Sequence, residues 1–246
     1  MSRPLVLITG ANQGVGLATA QILASKHNYH VLIGARNTAA GKKVAAEIQE
    51  AGNQATFIQL DLCSEESIKS AVATIENDFG YLDVLINNAA ILKDTDPTLS
   101  PWDLYQQTFT TNVIGPGTLT QSLLPLIRKA KSGPPRIIFV SSIMGSLHYS
   151  QDKTVPWYSI DYKAYDASKA AVNVLALNYH RILEAEGGKV NSVCPGLVKS
   201  NLSGYMEAGT STELGAQRVV ELATQGIDGV DGVSGTFSNR DGEIAW

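Results

Sequence analysis

The sequence predicts an α/β fold in which helices cover a buried parallel sheet. Short apolar segments alternate with longer segments of helical periodicity from the first residues onward. The apolar segments are almost continuously hydrophobic, which is typical of strands that are buried on both faces of a sheet. A length of 246 residues fits one domain of this kind, and no repeat or linker divides the chain.

Strands and helices can be assigned in order along the first half of the chain. Apolar runs predict four strands, over Leu5–Thr9, His30–Ala35, Ala55–Leu60 and Leu82–Ile86. Helices are predicted between them, over Gly14–His27, from Asn37 or Thr38 to Glu50, and from Ser64 to Gly80. The boundaries are supported because Asn37 and Ser64 are good N-cap residues and a glycine suits the C-cap at position 80.

The second half continues the alternation but contains two long irregular connections. Further strands are predicted over Arg136–Val140, Val190–Val193 and Thr236–Phe237. Further helices are predicted over Asp103–Lys131, with a bend at Gly115–Gly117 where Pro116 interrupts it, and over Ser168–Glu186. The connections are Ser141–Tyr165 and Gly196–Thr212. Loops of such length in a compact domain are usually functional or mobile.

Composition and charge argue against several classes of partner. A formal net charge of −4 and a pI near 5.6 give no support for a surface that binds nucleic acid or anionic lipid. The first apolar run, Leu5–Ile8, is too short for a signal sequence, and no run approaches a membrane span. Cys63 and Cys194 show no metal-ligand spacing and fit free thiols in an intracellular protein. We therefore expect a cytoplasmic protein without a metal, a membrane or a nucleic-acid partner.

A glycine-rich turn follows the first predicted strand and opens the first predicted helix. It reads Thr9-Gly10-Ala11-Asn12-Gln13-Gly14-Val15-Gly16, with the spacing Gly-x3-Gly-x-Gly. Glycines allow a tight turn and let the backbone approach a phosphate, to which the helix N-terminus offers N–H donors and a positive dipole end. A purely structural turn is the alternative. The position between a strand and a helix favours a dinucleotide site.

The second predicted strand indicates which dinucleotide is bound. Its end reads Ile33-Gly34-Ala35-Arg36-Asn37 and approaches the adenosine ribose of such a cofactor. An acidic residue there would favour NAD, whereas an arginine accommodates the 2′-phosphate of NADP(H). Arg36 therefore favours NADP(H), unless it is simply a solvated side chain. Asp61 ends the third strand, where it can meet the adenine, and Asn87–Ala90 end the fourth, on the nicotinamide side.

Tyr165 and Lys169 form the most informative pair of side chains in the chain. Four residues are about one helical turn, so both lie on one face of the predicted helix. A nearby ammonium lowers the pKa of a phenol and allows it to act as a general acid or base. The same spacing recurs at Tyr149 and Lys153, but that pair lies in a polar loop with no apolar helical face after it.

Together these motifs resemble the short-chain dehydrogenase/reductase family over nearly the whole chain. Thr9–Gly16 resembles its glycine motif, and Asn87–Ala90 its Asn-Asn-Ala-Gly motif. Other matching positions are Asn112, Ser141, Ser142, Tyr165, Lys169, Pro195 and Gly196. The resemblance implies a single-domain Rossmann-like fold, with a doubly wound parallel sheet of about seven strands and helices on both faces.

The resemblance also implies roles for individual residues. Ser142 would hydrogen-bond a substrate carbonyl and Tyr165 would donate the proton. Lys169 would hold the nicotinamide ribose and lower the pKa of Tyr165, and Asn112 would support a water in a proton relay. The residues expected to bind NADP(H) are Gly10, Asn12, Gln13, Gly14, Val15, Gly16, Arg36, Asp61, Leu62, Asn88, Ala89, Ala90, Tyr165, Lys169, Pro195, Gly196, Val198 and Ser200.

The chain departs from the common family pattern in two places. Ala90 replaces the usual glycine, and the stretch between Ser142 and Tyr165 is longer than usual. The resulting insert, residues 143–164, resembles the carbonyl-reductase branch of the family. In that branch an insert can cover the helix surface through which other members pair, so we expect a monomer or a dimer.

Two segments are expected to wall the substrate site, the insert and the substrate loop at residues 197–212. Their apolar and aromatic members are Met144, Leu147, Trp157, Tyr158, Tyr162, Leu197, Tyr205 and Met206. Such side chains suit an apolar or aromatic carbonyl compound, although several could simply pack the insert onto the domain. The leading hypothesis is an NADPH-dependent carbonyl reductase. The alternatives are an oxidising dehydrogenase of secondary alcohols and a non-catalytic nucleotide-binding regulatory protein.

Overall fold

A computed structural model describes residues 3–226 and 232–246 as an α/β domain around one sheet. The sheet has eight described strands in the order β3-β2-β1-β4-β5-β6-β7-β8. In chain order these strands are β1 Leu5–Thr9, β2 His30–Ala35, β3 Gln54–Gln59, β4 Val84–Asn87, β5 Arg136–Val140, β6 Lys189–Val193, β7 Phe237–Asn239 and β8 Gly242–Glu243. The pairings from β3 to β7 are parallel, as predicted. The short antiparallel β8 is an addition to the predicted sheet.

Seven α-helices of at least nine residues are described around the sheet. They are α1 Gly14–His27, α2 Thr38–Glu50, α3 Glu65–Asp78, α4 Pro101–Phe109, α5 Gly115–Ile127, α6 Lys163–Leu183 and α7 Thr212–Thr224. The caps predicted at Asn37 and Ser64 are confirmed, since each side chain accepts a hydrogen bond from a first-turn N–H. Helix α7 is not among the predicted elements, although Ser211 caps it by accepting from Leu214 N.

The predicted long helix is interrupted before the expected bend. A π-helical turn, Thr110–Ile114, separates α4 from α5, and α5 starts at Gly115 with Pro116 in its first turn. Proline in the first turn requires no N–H partner, so it starts a helix there instead of kinking one. π-helical turns are rare and often lie at functional sites. The turn carries Asn112, which is 2% exposed.

The sheet is wound on both faces, and β1 shows this in its alternation. Leu5 and Leu7 point to the core that contains α3, α5 and α6. Val6 and Ile8 point to the core that contains α1, α2 and α7. Side chains alternate between the two faces of a strand, so a wholly apolar strand serves both cores.

The strand order also fixes where a ligand cleft forms. The chain runs outward from β1 through β2 to β3 and then crosses to β4 on the other side of β1. In open α/β sheets, the crevice beyond the carboxyl ends of the strands at such a reversal is the usual ligand site. The glycine turn after β1 and the Asn88–Ala90 segment after β4 meet there.

The insert between Ser142 and Tyr165 packs against the last residues of the chain. The Ser146 hydroxyl donates to the Ala245 carbonyl at 2.6 Å, and the His148 N–H donates to the Trp246 carbonyl at 3.0 Å. The expected cover over the helix surface is not seen for three apolar side chains, Trp102, Ile114 and Val174, which are 77%, 59% and 58% exposed. The insert is directed toward the C-terminal segment because those hydrogen bonds hold it there.

Candidate active site

A cleft of about 330 Å³ lies at the carboxyl ends of β1 to β6. The sequence-predicted residues that line it are Gly10, Asn12, Gln13, Gly14, Val15, Arg36, Asp61, Leu62, Asn88, Ala89, Ala90, Tyr165, Lys169, Pro195 and Ser200. Arg36 and the pair Tyr165 and Lys169 therefore line one continuous space. Most of the predicted cofactor residues are brought together around a cleft that suits an elongated ligand.

Three predicted cofactor residues, Gly16, Gly196 and Val198, do not line this cleft. Each occupies a different position in the fold. A Cβ on Gly16 would lie 2.5 Å from Asn88 Nδ2, so this glycine permits close packing of α1 against the segment after β4. Gly196 occupies a turn with a φ of +77°. Val198 is buried and contacts the Gly215 position of α7.

Side chains from neighbouring strand ends hold the glycine turn in place. Thr9 Oγ1 accepts from the backbone N–H groups of Asn88 and Ala89, both at 2.9 Å. Asn88 Nδ2 donates to the Thr9 carbonyl at 2.8 Å. Gly10 has a φ of +66°, and a Cβ there would lie 3.1 Å from Ala89 Cα. Glycine is therefore required at position 10 by both its conformation and the close approach of the β4 loop.

The N-terminus of α1 is open to an anionic ligand. Gln13 precedes the helix, its side chain caps none of the helix N–H groups, and the first turn contains no acidic residue. The Gly14 position has a φ of +57°, and a Cβ there would meet only Ser200, at 3.7 Å. The first-turn N–H groups therefore face space into which a phosphate fits. This is the first of two observations that the residues present fit NADP(H).

The second observation is the position of Arg36. It directly follows β2, lines the cleft and precedes Asn37, whose side chain accepts from Ala40 N at 3.0 Å. The Asn37 side chain is thus engaged in capping α2, and Arg36 supplies a positive charge at the ribose end. A guanidinium in this place fits the 2′-phosphate of NADP(H).

The catalytic candidates on α6 are buried side by side at the other end of the cleft. Tyr165 is 6% exposed and Lys169 is 3% exposed. Lys169 Nζ lies 5.5 Å from the centroid of the Tyr165 ring and donates to the Val140 carbonyl at 2.8 Å. The predicted juxtaposition of the two side chains is therefore confirmed. Tyr149 instead lies in a short 3₁₀ turn of the insert and packs beside Cys194, Phe237 and Ile244.

Burial works against the lowering of the Tyr165 pKa that the sequence predicts. It raises the pKa of Tyr165 well above its usual value, the nearby Cys194 thiol adds to the increase, and a hydrogen bond with Ser142 opposes it. Burial lowers the pKa of Lys169 to about 8. Both effects favour the neutral forms of the two side chains.

Asn112 lies beside the helix that carries Lys169, and its side chain bonds two neighbouring segments. Its Oδ1 accepts from Ile91 N at 2.8 Å, and its Nδ2 donates to the Ile91 carbonyl at 2.9 Å. The same Nδ2 donates to Ser168 Oγ at 3.0 Å. Asn112 thus joins the segment after β4 to α6.

The eight predicted substrate residues, Met144, Leu147, Trp157, Tyr158, Tyr162, Leu197, Tyr205 and Met206, lie outside the lining of the described cleft, and so does Ser142. Met144 lies next to Ser142, whose Oγ accepts from the Met144 N–H at 3.2 Å. Met144, Trp157 and Tyr162 are half-buried. Leu147 is 68% exposed and Tyr205 is 60% exposed, so these two side chains face away from the cleft.

Several lining residues are not among the predicted ones. They are Thr9, Leu60, Cys63, Ile91, Thr111, Val140, Ser141, Asn201 and Leu202. Four of these nine, Thr9, Leu60, Val140 and Ser141, end a strand or directly follow one, so their place in sequence is the signal that could have identified them. Asn201 and Leu202 form a 3₁₀ turn that apolar patterning does not predict.

The described residues offer neither a membrane-spanning helix nor a cluster of metal ligands. Within residues 3–226 and 232–246, no helix has both the length and the apolar character needed to cross a bilayer. In the same part of the chain, no group of three or more His, Cys, Asp or Glu side chains is arranged to hold a metal ion.

Comparison with known proteins agrees with this geometry. The family model described as short chain dehydrogenase matches residues 4–211. A short-chain dehydrogenase of Penicillium roqueforti is 37% identical over 229 residues, which are 92% of this chain and 90% of the relative. Carbonyl reductase 1 (NADPH) of Rattus norvegicus is 30% identical over an alignment of 268 positions, gaps included, that covers 96% of this chain and 95% of the relative.

A solved structure extends the comparison to three dimensions. The NADPH-bound carbonyl reductase from chicken fatty liver has a TM-score of 0.83 and 27% identity to this chain, with 100% of both chains covered. Because the family model spans residues 4–211 and the relatives match over nearly their full lengths, this chain belongs to the short-chain dehydrogenase/reductase family of oxidoreductases.

Proposed function

We propose that this protein uses NADPH to reduce a ketone or aldehyde of an apolar or aromatic small molecule to the alcohol. One observation carries the direction of the reaction. Arg36 lines the cleft directly after β2, where a guanidinium suits the 2′-phosphate of NADP(H). Cells keep NADP mostly in its reduced form, so a protein that selects this cofactor serves reduction.

The catalytic roles are assigned to four residues. Ser142 orients the substrate by hydrogen-bonding the carbonyl oxygen, and Tyr165 donates its phenolic proton to that oxygen. The cofactor, when bound, supplies the hydride that reaches the carbonyl carbon. The Lys169 ammonium holds the ribose and stabilises the tyrosinate formed by proton loss. Asn112 holds the segment at Ile91 against the helix at Ser168 through side-chain hydrogen bonds.

The cofactor is proposed to lie along the whole cleft. Arg36 would bind the 2′-phosphate, and Asp61 would approach the adenine. The free N–H groups at the start of α1 would bind the pyrophosphate. Asn88, Ala89 and Ala90 would border the nicotinamide half.

The substrate is proposed to enter between two segments that flank Tyr165, the insert at residues 143–164 and the substrate loop at residues 197–212. Leu202 of that loop and Ile91 opposite it line the cleft and offer apolar surface. An apolar or aromatic carbonyl compound suits these walls better than a charged one. The outward side chains of the insert, such as Tyr158, are assigned no contact with substrate.

Oxidation of NADPH in the presence of candidate carbonyl compounds tests the proposal directly. The panel contains aromatic ketones, quinones, aliphatic aldehydes and, as a polar control, a 2-oxo acid. We expect turnover with at least one apolar member and much less with the 2-oxo acid. Turnover confined to NADP⁺ with secondary alcohols would support the oxidative alternative, and no turnover in either direction would support a regulatory role.

Two further properties belong to this proposal. The protein is assigned to the cytoplasm because Cys63 and Cys194 are both free thiols, which a reducing compartment preserves. Microscopy of the tagged protein checks this location. It is also proposed to act as a monomer or a dimer, which sedimentation tests.

A further inference from the structure

The first turn of the helix that carries Tyr165 is not capped by its own chain segment. Helix α6 begins at Lys163, and Tyr162 before it provides no side-chain hydrogen bond to the first turn. The first N–H groups of a helix have no partner within the helix and need one from elsewhere. An aspartate from a distant segment fills this need.

Asp94, in the connection after β4, uses both of its carboxylate oxygens on this turn. Asp94 Oδ1 accepts from Ala164 N at 2.8 Å, and Asp94 Oδ2 accepts from Tyr165 N at 3.2 Å. The contact joins residues that are 70 and 71 positions apart in sequence. One of the two N–H groups belongs to Tyr165 itself, so the carboxylate fixes the backbone from which the phenol projects.

The segment that carries Asp94 also forms a wall of the cleft. Ile91, three residues earlier, lines the cleft and is held by both amide atoms of Asn112. Asn112 in turn bonds Ser168, one turn after Tyr165 on α6. Two sets of hydrogen bonds therefore join the segment 91–94 to α6. Asp94 bonds the start of the helix up to Tyr165, and Asn112 connects Ile91 to Ser168, one turn later.

The hydrogen bonds from Asp94 to α6 place its carboxylate near a second acidic side chain, which it repels. Asp166 lies in the same turn, and its Oδ1 is buried without a described hydrogen-bond partner. Asp94 and Asp161 both act on Asp166 as like charges. A serine or threonine at position 162 would cap α6 without adding a charge. Asp94, which is 70 residues from Ala164 in sequence, instead ties α6 to the segment whose Ile91 lines the cleft.

We propose that Asp94 is a positioning residue for the reduction, which holds Tyr165 at the correct distance from Ser142 and from a substrate lying against Ile91. This inference rests on the proposed function. It assigns Asp94 no contact with substrate or cofactor. A small misplacement of a catalytic group is enough to slow a reaction strongly, because the reacting atoms must be held in a near-attack geometry.

Asp94→Ala and Asp96→Ala form a matched pair for the test. Asp96 lies in the same connection, but its carboxylate bonds only locally, to the N–H and hydroxyl of Thr98, with Lys93 nearby. With a carbonyl substrate from the panel, kcat of Asp94→Ala should fall by about tenfold to a hundredfold, with the KM for NADPH nearly unchanged. Asp96→Ala should retain kcat within about twofold, as expected for an exposed local contact. Asp94→Asn keeps one acceptor oxygen and should give an intermediate kcat.

All variants are assayed well below their unfolding temperatures, so that a cap with a purely structural role would lower Tm and leave kcat unchanged. A kcat of Asp94→Ala within about twofold of the unmodified protein would overturn the proposal. Amide hydrogen exchange at residues 164 and 165 provides a readout that needs no substrate. It should be clearly faster in Asp94→Ala and unchanged in Asp96→Ala, and equal protection would overturn the proposal. An unmodified protein that reduces no panel compound would count against the proposed function, while the exchange result still tests whether Asp94 holds the first turn of α6.

Discussion

At the scale of single residues, burial controls the chemistry of the site. Tyr165 and Lys169 are both nearly inaccessible, and burial favours the neutral form of each. The result is a phenol that keeps its proton and a lysine whose pKa falls to about 8. The sequence predicts that the two side chains are neighbours, but it does not predict that Lys169 Nζ is directed to the Val140 carbonyl. The protonation of the pair depends on burial, which is a property of the tertiary structure.

Tyr165→Phe tests the assignment of the proton donor. The substitution keeps the ring and removes the hydroxyl, so reductase turnover should fall by at least ~10² while NADPH still binds. Steady-state kinetics and a fluorescence titration with NADPH measure the two effects. Tyr149→Phe is the matched control, since Tyr149 has the same spacing to a lysine but lies in the insert. Turnover of the control should stay within a few-fold, and the opposite ranking would refute the assignment.

Arg36→Asp tests the choice of cofactor. A charge-assisted hydrogen bond to the 2′-phosphate contributes roughly 1.5–3 kcal/mol, and the new carboxylate adds repulsion. The KM for NADPH should therefore rise by well over tenfold, and the preference over NADH should narrow. Lys42→Asp, an equal change of charge on the exposed side of α2, should leave both constants nearly unchanged. Equal use of both cofactors by the unmodified protein would contradict the role of Arg36.

At the scale of elements, patterning predicts the strands and most helices but not the exceptions. Wholly apolar segments such as Leu5–Thr9 are strands because the sheet has two cores. Helix α7 is not predicted, because the small residues Gly215 and Ala216 form part of its buried face and weaken its apolar pattern. The π-helical turn at Asn112 depends on hydrogen bonds to Ile91 and Ser168, which local sequence does not encode. The outward direction of the insert likewise depends on Ala245 and Trp246.

The first turn of α6 makes the stability of the protein depend on pH through Asp166. Partial burial, with repulsion from Asp94 and Asp161, raises the pKa of Asp166 to about 7. Between the unfolded value near 4 and about 7, the folded protein binds more protons than the unfolded chain. The free energy of unfolding therefore falls as the pH rises through this range.

Asp166→Asn removes this ionisation and should stabilise the protein at pH 8 but hardly at pH 5. Because Asp166 is only half-buried, we expect about 1 kcal/mol, or roughly 2–4 °C in Tm. Thermal unfolding of both proteins at the two pH values measures the effect. Glu76→Gln, on the exposed side of α3, serves as the control and should show no such dependence. A larger increase in Tm at pH 5 than at pH 8 would contradict the assignment of this pH dependence to Asp166.

At the scale of the whole molecule, the doubly wound sheet places its two functional ends far apart along one cleft. Arg36 follows β2 on one side of β1, whereas Tyr165 packs beyond β5 on the other side. The outer surface carries several exposed apolar side chains. They are Trp102 on α4, Ile114 beside α5, and Val174 and Ile182 on α6. Apolar side chains concentrated on neighbouring helices are a common basis for pairing between copies.

Sedimentation at micromolar concentration tests the assembly. We expect a species no larger than a dimer, because the exposed apolar side chains named above lie on neighbouring helices and offer one surface for pairing. Val174→Glu places a charge on the exposed helix surface and should convert any dimer formed there into a monomer. A stable tetramer in the unmodified protein would contradict the expectation, and its loss in Val174→Glu would identify the surface responsible.

The contact between the insert and the C-terminal segment also orders events during synthesis. Ser146 and its partner Ala245 are 99 residues apart, so the bond cannot form until Ala245 has left the ribosome. The glycine turn, Arg36 and the Asn88 loop are translated long before. The stretch beside Ser142 is therefore synthesised well before the residues that support it. A chain cut short before Ala245 would keep the glycine turn and Arg36 but would lack the carbonyl to which Ser146 donates.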